Sequence, residues 1–475
     1  MGKFSKRGST TKVTNMAGGR AFSMNPEMEL THAVLTTFLE DKFYESGNER
    51  LERIKALVAK NKPEFVSKLA IVARNEFNLR SVSHVLIGEL AKTHRGDSLV
   101  KDTIVACAIR PDDLIEIAAY VGKPMPKQVK RGIRNALLKF NRYQLAKYKG
   151  DGKEVSLVDL FNMTHPKPQH ANEEQKQAWA DLMTGKLVSF DTWETEISNT
   201  KDKKKAWSDL VTENKLGYMA LLRNLNNLIK NDVPAEVIKA AAKKLTNPEQ
   251  VKKSRQLPFR FTTAYENVLG NRTLSDAISE AMDLAVSNTP ELSGKTLIAV
   301  DSSGSMMSGE TPAMKKASIF GATLVKANKD ADLVLYDTSI ADLPVSSRTP
   351  VVELAQKIEK AANGGGTQTS LVFEYAQRKP FNYDRIIIIS DNESWNEWSV
   401  QKSYEQFKQL SKSDPFVYAI DIQGYGTKDV EGKKVFHLTG WSNRLLDFVG
   451  AVEKGESIVE YIKNYSAAKK EEDEE

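Results

Sequence analysis

At Ser293-Gly294-Lys295 the spacing of apolar residues changes period, and this change constrains the fold more than any other feature of the chain. Upstream, from about Asn25 to Ser287, apolar residues recur three or four apart. Leu51, Ile54, Leu57 and Val58 form one such set, followed by Phe65, Val66, Leu69, Val72 and Ala73, then by Val82, Val85, Leu86 and Leu90. That spacing is the buried stripe of an amphipathic helix. Breaks at Asn61-Lys62-Pro63, His94-Arg95-Gly96-Asp97 and Arg110-Pro111-Asp112 keep the helices short. Asn25-Pro26, and Asn247-Pro248 with Gln250 behind it, read as helix starts. Many short helices joined by brief turns predict stacked helical pairs, an all-α solenoid of the HEAT kind.

Downstream, β-rich apolar runs at Thr296–Val300, Leu333–Tyr336, Arg385–Ile389 and Phe416–Ile422 alternate with helical segments at Ala313–Asn328, Val351–Ala362, Ser370–Lys379 and Ser399–Ser411. Continuous apolar strands separated by helices predict a parallel sheet covered on both faces, a doubly wound α/β domain. The expected organisation is a mobile basic segment over 1–20, a helical domain over 21–288, the α/β domain over 293–465 and a solvated acidic tail over 466–475. A length of 475 residues exceeds what one core needs. No apolar run approaches the roughly 18 residues that cross a bilayer, so no membrane span is expected. A single cysteine, Cys107, forbids an internal disulfide, and no apolar signal segment follows the basic Met1–Arg7. The simplest compartment is the reducing cytoplasm.

Charge is divided unevenly. Residues 1–288 hold 46 Lys and Arg against 34 Asp and Glu, and residues 289–475 hold 22 against 28. The first part is therefore expected to meet a polyanion. The densest basic run contains Lys123, Lys127, Lys130, Arg131, Arg134, Lys139, Arg142, Lys147 and Lys149, with Phe140, Tyr143 and Tyr148 among them. Cations neutralise phosphates with release of counterions, and aromatic rings stack on unpaired bases. Lys127, Arg131 and Arg134 can share one helix face. His165 directly precedes a helix-stopping proline. Arg223 and Arg260, taken singly, read as packing residues of their motifs.

A second site stands at the carboxyl end of the first strand of the α/β domain, where open sheets bind ligands. In Asp301-Ser302-Ser303-Gly304-Ser305, residues 301, 303 and 305 can point their oxygens one way, and hard oxygen donors with a carboxylate suit Mg²⁺ and not zinc. A Ser- and Gly-rich turn would by itself account for these five residues. Thr367, behind Gly364-Gly365-Gly366, and Asp391, behind the strand Ile386–Ile389, supply the two missing loops. Together they resemble the metal-ion-dependent adhesion site of von Willebrand factor A domains, which implies Asp301, Ser303, Ser305, Thr367 and Asp391 as the metal set, with one coordination position left for an acidic group of a partner. Gln368 stands where relatives often have Asp. A phosphatase of the dehalogenase type would want a second Asp where Ser303 stands, and no nucleophile elbow, Walker loop or dinucleotide fingerprint occurs. The six histidines are scattered without zinc spacing. The chain reads as a non-enzyme.

The runs KRGIRNAL, KYK, LFNMTHPKP, MALLRNLNNL and LPFRFTTAYE, followed by the A-type domain with Ile389-Ser390-Asp391-Asn392-Glu393, occur in the order seen in TROVE proteins, the family of the Ro autoantigen and its bacterial relatives. The resemblance runs from about residue 15 to about residue 465. It implies a ring of helical repeats that acts as a monomer, binds small noncoding Y-like RNA on an outer basic surface and takes single-stranded ends of misfolded RNA for quality control, with an exoribonuclease as a protein partner. By matching positions it implies Lys147, Lys149 and His165 as RNA contacts, with Lys153, Arg131 and Arg134 as looser matches. The competing expectation is a metal-dependent interaction module that captures an acidic protein partner through the A-type domain.

Overall fold

Proline opens the helices at the expected breaks, because its missing N–H falls where no intrahelical partner exists. In the computed structural model these are α1 (Pro26–Leu35), α3 (Pro63–Asn75) and α6 (Pro111–Val121). The structure describes residues 12–14, 20–35, 47–150, 152–188, 192–289, 292–309, 312–346, 348–394, 400–425, 427–432, 434–439 and 458–465. The chain divides into two compact units, one made of 26–40, 47–191 and 456–475, the other of 1–25, 41–46 and 192–455.

The first unit is all helical. Besides the three helices above it contains α2 (Gly47–Lys60), α4 (Arg80–Thr93), α5 (Leu99–Cys107), α7 (Lys127–Ala136), α8 (Arg142–Lys147), α9 (Leu157–Thr164) and α10 (Glu173–Met183). Helices two apart in sequence stack on each other. One layer runs α1, α3, α5, α7, α9, and a second runs α2, α4, α6, α9. This is solenoid packing, each layer burying its stripe against the next. Between the layers lies an ionic network around Asp113, which is fully buried. It pairs with Arg74 at 2.9 Å and Arg80 at 2.7 Å, and accepts the backbone N–H of Ile109 and Arg110. Burial alone would push the Asp113 carboxyl up. The hydrogen bond from His84, the charge of Arg74 and the bonds from Arg110 and Arg80 outweigh it and hold the group well below the usual carboxylate range.

The last described helix, Ile458–Asn464, packs on α3 and α1, with Lys463 paired to Glu27 at 2.7 Å. An α/β domain carried to residue 465 thus needs correction: this helix buries Ile458, Val459 and Ile462 in the helical unit. The unit boundary also falls at 191/192, inside the stretch read as one helical domain.

The second unit begins its helical part with α11 (Trp193–Asn199), α12 (Lys203–Thr212), α13 (Tyr218–Lys230), α14 (Ala235–Leu245), α15 (Pro248–Ser254), α16 (Thr262–Val268) and α17 (Arg272–Ala285). Its α/β part follows with β3 (Thr296–Asp301), α18 (Gly304–Met307), α19 (Ala313–Ala327), β4 (Ala331–Tyr336), β5 (Ile340–Asp342), α20 (Val351–Ala361), α21 (Ser370–Arg378), β6 (Arg385–Ser390), α22 (Val400–Ser411), β7 (Phe416–Asp421) and β9 (Val435–Thr439). The six-stranded sheet has the order β5-β4-β3-β6-β7-β9. Every pairing is parallel except β5 against β4, so the sheet is mixed and not purely parallel. A short return from Tyr336 to Ile340 leaves no length for a crossover, which forces the antiparallel edge. Leu297 and Ala299 face α21 and α22 through Val372, Phe373, Tyr404 and Phe407. On the other face α19 packs on β3 and α20 on α19.

Two N-terminal strands, β1 (Lys12–Thr14) and β2 (Arg20–Ser23), pair antiparallel, and β2 continues onto β8 (Thr427–Lys428). A wholly mobile 1–20 is therefore corrected at 12–14 and 20, where backbone pairing with a distant strand, invisible in a polar sequence, orders the chain. Residues 1–11, 15–19 and the acidic tail 466–475 lie outside the described residues.

Candidate nucleic-acid interface and metal centre

The basic run is laid out by strongly amphipathic packing. On α7, Val129, Gly132, Ile133 and Ala136 are buried, which turns Lys127 and Arg131 outward and leaves Arg134 half-buried. A Cβ at Gly132 would sit 2.9 Å from Ile104 and 3.1 Å from the Lys101 carbonyl, so only glycine lets α7 approach α5 this closely. Helix α8 is capped by Asn141, whose side chain accepts the Gln144 N–H at 2.9 Å while Gln144 Oε1 accepts the Asn141 N–H at 3.1 Å. Beyond α8 the chain turns through Tyr148 and Lys149, and Leu157 N–H bonds the Lys149 carbonyl at 2.9 Å. Lys149 therefore lies at the start of α9. His165 ends α9 in the left-handed conformation, φ 46°, and is exposed. At 1.5 Å per residue, the eight residues of α9 set Lys149 and His165 about 12 Å apart along its axis.

Within this region Lys147 is exposed and lies 5.8 Å from the Tyr143 ring and 5.9 Å from the Tyr148 ring. The Arg110 guanidinium covers Tyr148 at 4.6 Å and is committed to Asp112, its Nε donating to Oδ1 at 2.9 Å. The Lys149 ammonium donates to the Leu187 carbonyl. Lys153 and Arg131 are exposed. Phe140, one of the aromatics offered for base stacking, is only 1% exposed and serves the core instead, because its position after the 3-10 turn Leu137–Lys139 faces inward. Arg142 is committed to Asp181 at 2.6 Å. Arg110 was missed by the sequence reading. It looked like part of a break, and only the tertiary contact with Tyr148, far along the chain, identifies it.

Two motifs of the second unit also converge. Tyr218, at the start of α13, makes an edge contact with Phe261 at 6.2 Å. Burial and the charge of Arg223 both lower the Arg260 pKa, so the two guanidinium groups are electrostatic neighbours. Among the described residues neither one is paired with a carboxylate.

The A-type site is assembled from the loops that follow β3 and β6 and from the loop between α20 and α21. On the first loop, Ser303 N–H bonds Asp301 Oδ1 at 2.9 Å and the Ser303 and Ser305 hydroxyls lie 3.2 Å apart. The Ser390 hydroxyl donates to Asp301 Oδ2 at 2.6 Å. Backbone bonds lock the second loop to the first: Gly304 N–H to the Gly365 carbonyl at 2.8 Å and Gly364 N–H to the Ser302 carbonyl at 3.0 Å. A Cβ on Gly304 would lie 3.1 Å from the Gly364 carbonyl oxygen. Thr367 and Asp391 are both buried, and Asp391 Oδ2 has no hydrogen-bond partner.

Burial and mutual repulsion raise the carboxyls of this site above their ordinary range. Burial and the charge of Asp337 push the Asp301 carboxyl up to about 6, against the bonds from Ser390 and Ser303. Burial, then the charges of Asp301, Glu393 and Asp421, push Asp391 well above the carboxylate range. Asp429 is raised in the same way, by burial and by Glu393 and Asp391. Among the described residues no group of three or more His, Cys, Asp or Glu forms a metal cage. A cation here would be held by two carboxylates with the hydroxyls of Ser303, Ser305 and Thr367, a donor set that fits a hard divalent ion such as Mg²⁺. Cys107 has no part in either site: it is buried and its thiol is pushed up to about 12, chiefly by burial.

Comparison with known proteins adds the following. The TROVE domain profile matches residues 28–186 and 183–309, and the Ro60 vWA domain profile matches 295–450. The RNA-binding protein RO60 of Deinococcus radiodurans is 23% identical over 50% of this chain and 50% of its own length. RO60 of Caenorhabditis elegans is 22% identical over 48% of this chain and 39% of its own. Telomerase protein component 1 of Rattus norvegicus is 22% identical over 46% of this chain and 12% of its own. The chain thus spans half or less of the length of these relatives. The crystal structure of the Deinococcus radiodurans RO (RSR) protein superposes with a TM-score of 0.62 over 90% of this chain and 100% of that one, at 18% identity, a likeness of fold.

Proposed function

The chain belongs to the TROVE family, and from that premise we propose that it is a non-catalytic RNA-binding protein, the protein part of a ribonucleoprotein. Small noncoding RNA of the Y type and single-stranded ends of misfolded RNA are the proposed ligands. The observation that carries the reading is the cluster in which the exposed Lys147 lies 5.8 Å from the Tyr143 ring and 5.9 Å from the Tyr148 ring. Such a surface offers cations for phosphates and ring edges for unstacked bases together, and this is what single-stranded RNA needs. Lys149, Lys153, His165, Arg131 and Arg134 extend it along α7 and α9. The Arg223 and Arg260 pair, two like charges held near each other without a counter-carboxylate, supports a polyanionic ligand for the second unit as well. RO60 relatives named as RNA-binding proteins support the same ligand class.

The test is to isolate the full chain and sequence the nucleic acid that accompanies it, then repeat with Lys147→Gln and Lys149→Gln together. Retained structured or single-stranded RNA, reduced in the double variant, is expected. Absence of any RNA, or binding insensitive to salt, overturns the proposal. RNA cleavage in Mg²⁺ that disappears in Asp301→Ala overturns its non-catalytic part.

The second unit supports a further role that can coexist with the first. The unpartnered Asp391 Oδ2 among mutually repelling carboxylates favours a bound divalent cation, with Asp301, Ser303, Ser305, Thr367 and Asp391 as its holders. When bound, the ion supplies a Lewis-acidic position that a carboxylate of a partner protein, an exoribonuclease among the proposed ones, can fill. Loss of a partner in Asp301→Ala with RNA binding intact is the expected result.

A further inference from the structure

The last described helix brings a strongly acidic stretch of sequence close to the basic run of the same unit. Ile458, Val459 and Ile462 are buried where this helix packs on α3 and α1. Its end is fastened at Tyr465, whose hydroxyl donates to Glu76 at 2.8 Å and whose carbonyl accepts the Lys68 ammonium. Tyr465 also lines a space of about 420 Å³ together with Lys139. Lys139 closes the 3-10 turn Leu137–Lys139 that continues α7. The chain therefore passes Tyr465 one pocket away from the end of the helix that carries Lys127, Lys130, Arg131 and Arg134.

Five consecutive carboxylates come next: Glu471, Glu472, Asp473, Glu474 and Glu475. At roughly 3.3–3.6 Å per residue, the first can lie up to about 20 Å from Tyr465 and the last up to about 35 Å. The basic face of α7 falls inside that reach. A space of this volume is on the order of 10 Å across. Back from Lys139, at about 1.5 Å per residue, Arg134 lies about 8 Å along the axis, Arg131 about 12 Å and Lys127 about 18 Å.

Existing pairs decide which cations such a segment meets. Lys68 is engaged by the Tyr465 carbonyl, Lys139 by the carbonyls of Val105 and Ala108, and Arg142 by Asp181. Among the described residues Lys127, Lys130, Arg131 and Arg134 have no carboxylate partner. Their spacing of three and four places them along one side of α7. Ten residues of tether hold opposite charges at an effective concentration in the millimolar range, whatever the protein concentration.

We propose that residues 471–475 dock on this face of α7 and compete there with RNA, so that the chain carries its own weak mimic of a phosphate backbone. A strand that offers more phosphates than the segment has carboxylates displaces it, and a short polyanion does not. The attraction is between solvent-exposed charges, so salt screens it. The competition rests on the RNA-binding reading above, and the docking does not.

The test compares the full chain with a variant that combines Glu471→Gln, Glu472→Gln, Asp473→Asn, Glu474→Gln and Glu475→Gln and leaves every described residue unchanged. Anisotropy of a fluorescein-labelled oligouridylate should show about fivefold tighter binding by the variant at low salt, the effect of a segment that covers the face about four-fifths of the time. At roughly 500 mM salt the two proteins should bind alike. Equal affinity at low salt overturns the competition. In dilute protein without RNA, a carbodiimide that condenses carboxylates with amines should join residues 471–475 of the unsubstituted chain to Lys127 or Lys130, read by peptide mass spectrometry. Added oligouridylate should suppress that product. Cross-links confined to other lysines, or none, overturn the docking site even where the affinities differ. No binding of the strand by either protein overturns the RNA-binding reading and the competition with it, and the cross-link still decides whether the segment docks.

Discussion

Replacing Lys147 by Gln offers a quantitative test of the interface. Five lysine and arginine side chains form the candidate surface: Arg131, Arg134, Lys147, Lys149 and Lys153. For single strands each neutralised phosphate contributes about 0.7 to the slope of log affinity against log salt, so full use of the five predicts a slope near −3.5. Between 50 and 200 mM salt that is a loss of roughly a hundredfold in affinity. Lys147 is exposed and its head lies near two rings, so it should carry one full contact. Lys147→Gln should reduce the magnitude of the slope by about 0.7 and weaken binding at low salt by several-fold, without preference for one sequence. Lys149 differs because its ammonium already donates to the Leu187 carbonyl, so Lys149→Gln should also loosen the turn before α9. The assay is anisotropy of a labelled single-stranded RNA titrated at four or five salt concentrations. An unchanged slope in Lys147→Gln, or a wild-type slope near zero, refutes the argument that these side chains meet phosphates.

Other perturbations test the scaffold and the metal centre. Asp113→Ala leaves the buried Arg74 guanidinium without its carboxylate and should destabilise the first unit by about 3–5 kcal/mol in urea titrations followed by circular dichroism. A change under 1 kcal/mol would mean the network is not what holds α3, α4 and α6 together. Asp301 has its pKa raised from 3.8 to about 6, and an acid bound more tightly to its proton in the folded state lowers stability once ionised. Metal-free protein should therefore lose roughly 3 kcal/mol as pH rises through that window and stay low above it. Saturating Mg²⁺ should recover the loss at neutral pH, and Asp301→Asn should reduce the pH slope to the part carried by Asp391 and Asp429 and remove the Mg²⁺ response in differential scanning calorimetry. Gly132→Val should place a methyl against Ile104 and the Lys101 carbonyl, costing about 1–3 kcal/mol by the same urea assay, and a neutral result would show that α7 can move off α5.

The sequence by itself determined the elements and much of the chemistry. Period 3.6 before Ser293 and buried apolar runs after it are local consequences of which side chains must leave water, so helices and strands fell where their patterns put them. The Asp301, Ser303 and Ser305 loop was legible because alternation along an extended loop is itself local geometry. Tertiary structure alone decided what depends on partners distant in the chain. Nothing in a polar N-terminus announces that Arg20–Ser23 will pair with Thr427–Lys428. The helix Ile458–Asn464 has an apolar face but no mark of which unit buries it. Phe140 and Tyr143 look equally available in sequence, yet packing sends one into the core and leaves the other beside Lys147. Arg110 came onto the Tyr148 ring only through the packing of the solenoid, because cation–ring attraction acts over a few ångströms and carries no signature in the spacing of residues.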